Sequence, residues 1–98
     1  MLSVDFHPDA AGEAVGARRW YDEIDPKLGA DFSAELEKAI LRIATVPQQW
    51  PQHLHGTRCI NLQRFPYLVV YRHSGDQIQV IAVQHARRRP GYWNSRVL

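Results

Sequence analysis

Two apolar runs joined by a tight turn constrain this chain more than any other feature. Tyr67-Leu68-Val69-Val70-Tyr71 and Ile78-Gln79-Val80-Ile81-Ala82-Val83 flank His73-Ser74-Gly75-Asp76-Gln77, a turn-forming stretch. Runs of this length, rich in β-branched and aromatic residues and punctuated by Gly-Asp, fold as an antiparallel hairpin. The first run is apolar on both of its alternating faces, which suits a central strand with helices on one side. Directly after the hairpin come His85-Ala86-Arg87-Arg88-Arg89-Pro90-Gly91-Tyr92-Trp93. A dense positive surface with aromatic neighbours therefore sits at a rigid sheet end and suits an anionic partner.

Helices have to supply the cover. Leu28, Phe32, Leu36, Ala39, Ile40 and Ile43 form one apolar stripe at helical spacing, opened by Asp25-Pro26 and closed near Val46-Pro47. Aspartate as cap and proline in the first turn are good starting residues for a helix. An earlier helix runs from about Asp9 to Ile24, with Ala10, Ala14, Ala17, Tyr21 and Ile24 three and four residues apart. Gly12 and Gly16 weaken it, by about 1 kcal/mol each against alanine, and small residues there permit close approach of a neighbour. The short link between the two helices predicts an antiparallel helical hairpin. Leu2, Val4 and Phe6 alternate with polar residues as a short first strand, and Thr57–Gln63 reads as another, with Ile60 and Leu62 on one face. Between them, Pro47–Gly56 reads as a surface loop. The expected fold is α+β in the order βααβββ, a helical hairpin on a small, mostly antiparallel sheet. Residues 90–98 follow as a helical turn or tail, and residues 1–98 form one domain.

Charge is divided unevenly. Residues 1–51 carry five Lys/Arg against nine Asp/Glu, a balance of −4, and residues 52–98 carry seven arginines against Asp76 alone, a balance of +6. Arginine favours bidentate contact with phosphate or carboxylate. The lone Cys59 cannot form an internal disulfide, which points to a reducing cytoplasm. Asp5 and Asp9 interrupt any signal-peptide core, and the longest apolar run is far too short for a membrane span.

Most catalytic motifs fail on spacing. His53-x-His55 has no nearby Cys, Asp or Glu in sequence to complete a metal site, so no metal or other cofactor is expected. Cys59 on a strand beside Arg58 reads as a packing residue rather than a nucleophile. Gly12 and Gly16 lack the lysine and the strand–loop–helix order of a phosphate loop. The candidate contact residues are Arg87, Arg88 and Arg89, with Tyr92 and Trp93 for stacking or, for Trp93, as a lid on the core. Arg58 and Arg64 extend the same patch, and His85 joins it at the strand end.

The ordered set of these features resembles the RelE/ParE superfamily of bacterial toxins from type II toxin–antitoxin, plasmid-stabilisation-like modules. The resemblance runs through Trp20-Tyr21, Leu28-Gly29 with Phe32, and Val46-Pro47…Trp50-Pro51. It continues in Arg64-Phe65-Pro66-Tyr67…Val70-Tyr71 and Val83-x-His85-x-x-Arg88-x-Pro90-x-x-Trp93. Two activities live on that fold, so fold alone does not choose. The RelE-like, ribosome-dependent mRNA endonucleases carry lysines on the first strand of the C-terminal sheet and an arginine shortly after the aromatic that opens the next. Here those positions read Cys59-Ile60-Asn61-Leu62 and Tyr67-Leu68. A ribonuclease reading would rest on Arg64, Arg88 and Tyr92, an incomplete set. The Phe-Pro-Tyr strand and His-x-x-Arg-x-Pro ending look more like the ParE branch, which implies binding to DNA gyrase, with DNA contacted only indirectly. The resemblance also implies a cognate antitoxin whose acidic C-terminal segment folds onto the toxin. A non-toxic binding module on the same fold is the remaining reading.

Overall fold

The computed structural model describes residues 2–97 and places a four-stranded sheet under two helices. The elements are β1 (Ser3–Phe6), α1 (Pro8–Ile24), α2 (Pro26–Thr45), β2 (Arg58–Asn61), β3 (Tyr67–Ser74) and β4 (Gln77–His85). Short 3-10 turns lie at Leu54–Gly56 and Asn94–Val97. The strand order is β1-β4-β3-β2, with β1 parallel to β4 and the other pairings antiparallel. The α+β class, the element order and the mostly antiparallel sheet all agree with the sequence reading.

Local chemistry accounts for the helix ends. His7 caps α1 by accepting the Asp9 N–H at Nδ1 (3.1 Å), with Pro8 in the first turn and Asp9 near the positive end of the helix. Asp25 serves both helices. Its N–H donates to the Tyr21 carbonyl at 2.9 Å, closing α1, while its carboxylate accepts the Lys27 N–H at 3.0 Å, opening α2. One residue thus reverses the chain, and α1 and α2 must lie antiparallel. Close approach is paid for at Gly29, where a β-carbon would collide with the Asp22 carboxylate and crowd its backbone nitrogen. Gly12 and Gly16 face open space, which corrects the expectation that they admit a neighbour. Replacing either by alanine is expected to stabilise the protein by about 0.5–1 kcal/mol, through helix propensity alone. Thermal unfolding of the two single variants checks this, and an unchanged or lower midpoint would contradict it.

The main core lies between the helices and the sheet. Tyr21, Phe32, Phe65 and Tyr67 form an aromatic cluster, with ring centroids 4.9 Å apart for Tyr21–Phe65 and 5.3 Å for Phe32–Phe65 and Phe32–Tyr67. Ala39 and Ile43 continue the α2 stripe down onto Val69, Tyr71, Ile78 and Val80. Trp20, beside Tyr21, stands outside this core and is exposed. The opposite face of β3 and β4 is covered by the chain end. Trp93 is fully buried against Val70, Ile81 and Ala82, and its Nε1–H donates to Gln84 Oε1 at 3.0 Å. Residues 94–97 are therefore a docked turn, while Leu98 lies outside the described residues.

Candidate partner-binding surface

At the end of β4 the backbone leaves the sheet, and the His85 ring turns back to hold the new direction. Its Nδ1 accepts the Arg87 N–H at 3.0 Å, and its ring packs edge-on to Tyr67 at 5.1 Å. An imidazole that accepts at Nδ1 in its neutral form carries its proton on Nε2. The Ala86 N–H donates to the Pro66 carbonyl at 2.8 Å, tying the turn to the start of β3. Arg87, Arg88 and Arg89 follow, and all three are exposed. They occupy a turn rather than a strand, so the strict alternation expected for a strand does not govern them.

The three arginines are not equivalent. Arg88 lies over the Tyr92 ring, with its guanidinium carbon 3.7 Å from the centroid, and its Nη1 is 3.4 Å from Glu13 Oε2. Arg87 and Arg89 have no side-chain hydrogen bond or ion pair among the described residues. Glu13, on α1, is the hub beneath the turn. It accepts the Tyr92 hydroxyl at 2.6 Å, the Val83 N–H at 3.0 Å, and two Arg96 N–H groups at 3.0 Å each. Burial, followed by the hydrogen bond to Glu13, pushes the Tyr92 phenol well above its ordinary value. Tyr92 is thus a committed donor. Glu13 and Arg96 were not among the residues singled out from the sequence. An acid three residues after buried Ala10 and four before buried Ala17 was the available sign for Glu13, while nothing marks Arg96.

The remaining candidates separate. Arg64 sits in the β2–β3 connection, where its Nη2 meets Asp31 Oδ2 at 3.2 Å. Hydrogen bonds from Arg64, then from Lys27, hold the Asp31 carboxyl below its usual range. Glu35 accepts the neighbouring Gln63 and Arg64 N–H groups, at 2.6 and 3.1 Å. Arg58 pairs with Tyr71 along the sheet, whereas His85 pairs with Tyr67. Four residues of strand separate those levels, roughly 13 Å. Arg58 Nη1 donates instead to the Trp50 carbonyl at 2.8 Å, so it does not extend the arginine turn as expected. Trp93, fully buried, is a core lid and presents no surface to a partner. Cys59 pairs with Val70 along the sheet and packs against the cluster that contains Trp93, and burial raises its thiol pKa, the opposite of what an activated nucleophile needs.

A groove of about 310 Å³ opens between α2 and the β2 edge, lined by Asp31, Glu35, Lys38, Arg42, Asn61 and Arg64 among others. The neighbouring part of that edge is already partly covered, because the Cys59 N–H donates to the Pro51 carbonyl at 3.1 Å. Among the described residues, no three His, Cys, Asp or Glu side chains converge on a metal position. No helix among them is long and apolar enough to cross a membrane.

RNA cleavage needs a free acid–base pair and cations aimed at a phosphate. Here Arg64 pairs with Asp31, and Arg88 and Tyr92 contact Glu13, while the Arg64 and Arg88 side chains stay more than half exposed. Arg87 and Arg89 stand exposed beside this held scaffold.

Comparison with known proteins agrees with this fold. The family model for the ParE toxin of type II toxin–antitoxin system, parDE, matches residues 4–90, from β1 to the end of the arginine turn. A solved structure described as the chromosomal ParDE TA system from P. aeruginosa is similar at 21% identity and TM-score 0.57. The match covers 89% of this chain and 98% of that chain, a likeness of fold. No match is found among curated protein sequences. With both helices, three strands and all but the first residue of β1 inside the family match, the chain belongs to the ParE toxin family of type II toxin–antitoxin systems.

Proposed function

We propose that this protein is a toxin that inhibits DNA gyrase by binding and is neutralised by a cognate antitoxin in the bacterial cytoplasm. The observation that carries the reading is an incomplete ribonuclease set beside an open arginine pair. Arg64, Arg88 and Tyr92 are engaged within the protein, whereas Arg87 and Arg89 stand exposed on a turn anchored by His85 and Tyr67. Such a turn suits contact with an acidic protein segment, or with gyrase and its bound DNA, more than chemistry on RNA. The antitoxin would lay its apolar residues in grooves between helices and sheet, the α2–β2 groove among them, and its acids on the arginines.

Induction without antitoxin tests the target. Gyrase inhibition predicts linearised chromosomal DNA with intact transcripts, and in vitro a block of supercoiling by purified gyrase. Translation-dependent mRNA cleavage with normal supercoiling would replace gyrase by the ribosome, and unimpaired growth would leave a non-toxic binding module. Charge reversal at both free arginines, Arg87→Glu with Arg89→Glu, is expected to weaken antitoxin binding or gyrase inhibition at least tenfold. The fold should be unaffected, since neither side chain has an internal partner to lose. Wild-type growth arrest together with wild-type antitoxin affinity would remove the turn from the functional surface.

A further inference from the structure

From Lys38 to Gly75 the chain holds five Lys/Arg and not one Asp or Glu. Part of that stretch folds around a polar cavity of about 430 Å³, between the loop after α2 and the outer part of the sheet. Gln48, Gln52, His53, Thr57, Arg58 and His73 line it, and no carboxylate does. We propose that this cavity binds a phosphate-class anion, in a site separate from the arginine turn.

Three observations favour it. Among the described residues the Arg58 side chain is held by a single hydrogen bond, Nη1 to the Trp50 carbonyl at 2.8 Å. A guanidinium has five N–H donors in a rigid fork, so the bond fixes its orientation and leaves most of its donors available. His73 contributes a second positioned group. Its Nε2 is 2.8 Å from the Gly75 carbonyl, which can only accept, so Nε2 carries the proton and the Nδ1 of the neutral ring is left as an acceptor, a match for the P–OH of a monoprotonated phosphate. The third is His53, whose Nε2 is buried without a hydrogen-bond partner among the described residues. Buried polar atoms are nearly always paired, with protein, water or ligand. An arginine, two imidazoles and two carboxamides around one space, with no carboxylate among the lining residues, suit an oxyanion such as phosphate. The anion's source is either a free phosphate or nucleotide, or the backbone of a nucleic acid.

The experiment is a titration of the full-length protein followed by amide chemical shifts, with inorganic phosphate, a nucleoside monophosphate and a single-stranded oligonucleotide as probes. Saturable shifts confined to residues 48–58 and 73–75 are expected with phosphate. If the oligonucleotide shifts the same amides and phosphate competes with it, the source is the nucleic-acid backbone. If phosphate and nucleotide bind and the oligonucleotide does not, the source is a free anion. Arg58→Gln should weaken binding at least tenfold, although it also removes the bond to Trp50. Gln48→Glu therefore provides a second variant, since Gln48 is exposed and its change places a negative charge in the lining. It too should weaken binding at least tenfold, while Gln49→Glu, one residue outside the lining, should change it little. Absence of saturable shifts with all three probes, or equal affinity in Gln48→Glu and wild type, would overturn the proposal.

Discussion

Truncating Trp93 to alanine is expected to cost about 3–5 kcal/mol, the range for removing a large aromatic side chain from a packed core. For a domain of this size that is a large part of a total of about 5–15 kcal/mol. Several losses coincide at this position. Trp93 is fully buried and covers Val70, Ile81 and Ala82 on the sheet face that the helices leave bare. Its Nε1–H satisfies Gln84, which is itself buried, so the truncation would leave a carboxamide oxygen without its donor. The His53 and His55 rings, with centroids 5.9 and 6.0 Å from Trp93, would lose the surface they rest on. Urea unfolding of the purified variant measures the cost, with the slope checked to confirm that the unfolded state is unchanged. Trp93→Phe should recover a substantial part of the packing but not the hydrogen bond. A loss below about 1 kcal/mol in the alanine variant would mean that the chain end is not part of the core.

Trp93 also shows where reading the sequence reaches its limit. The hairpin, the helical stripe and the Asp25 cap of α2 follow from period and capping chemistry, which act over a few residues. Phe32, Ala39 and Ile43 are buried at the helical spacing that marks them, and Ile60 and Leu62 are buried while Asn61 and Gln63 are exposed. Contacts across long sequence separations carry no such signal. The aromatic–basic run after β4 looked like one surface because its members are adjacent in sequence. Folding divides it, sending Trp93 inward, Arg88 onto Tyr92, and Arg87 and Arg89 outward. Gly12 and Gly16 illustrate the converse. Small residues can admit a neighbour, but only the fold shows that the crowded glycine is Gly29.

Glu13→Gln is expected to destabilise the protein by about 3 kcal/mol, the scale for breaking a mostly buried ion pair by removing one partner. The wild-type carboxylate accepts from two elements besides its own helix, the Val83 N–H of β4 and the side chains of Tyr92 and Arg96 in the chain end. A neutral carboxamide has one acceptor oxygen, so it cannot serve all these donors, and it leaves the Arg96 charge poorly compensated. Arg96 keeps bonds to the Ile81 carbonyl and a 3.7 Å contact with exposed Asp9, but its side chain is only 13% exposed, so water replaces little of the loss. Coupling distinguishes this account from a general sensitivity of α1. Because Glu13 and Arg96 interact directly, the double variant Glu13→Gln with Arg96→Gln should be less destabilised than the sum of the singles, by about 1 kcal/mol or more. Amide exchange supplies a second readout. Protection should fall for residues 92–97 in Glu13→Gln, while amides in α2 and β2 keep theirs. Additive costs in the double variant, with uniform loss of protection across the chain, would show that Glu13 does not specifically fasten the chain end to α1.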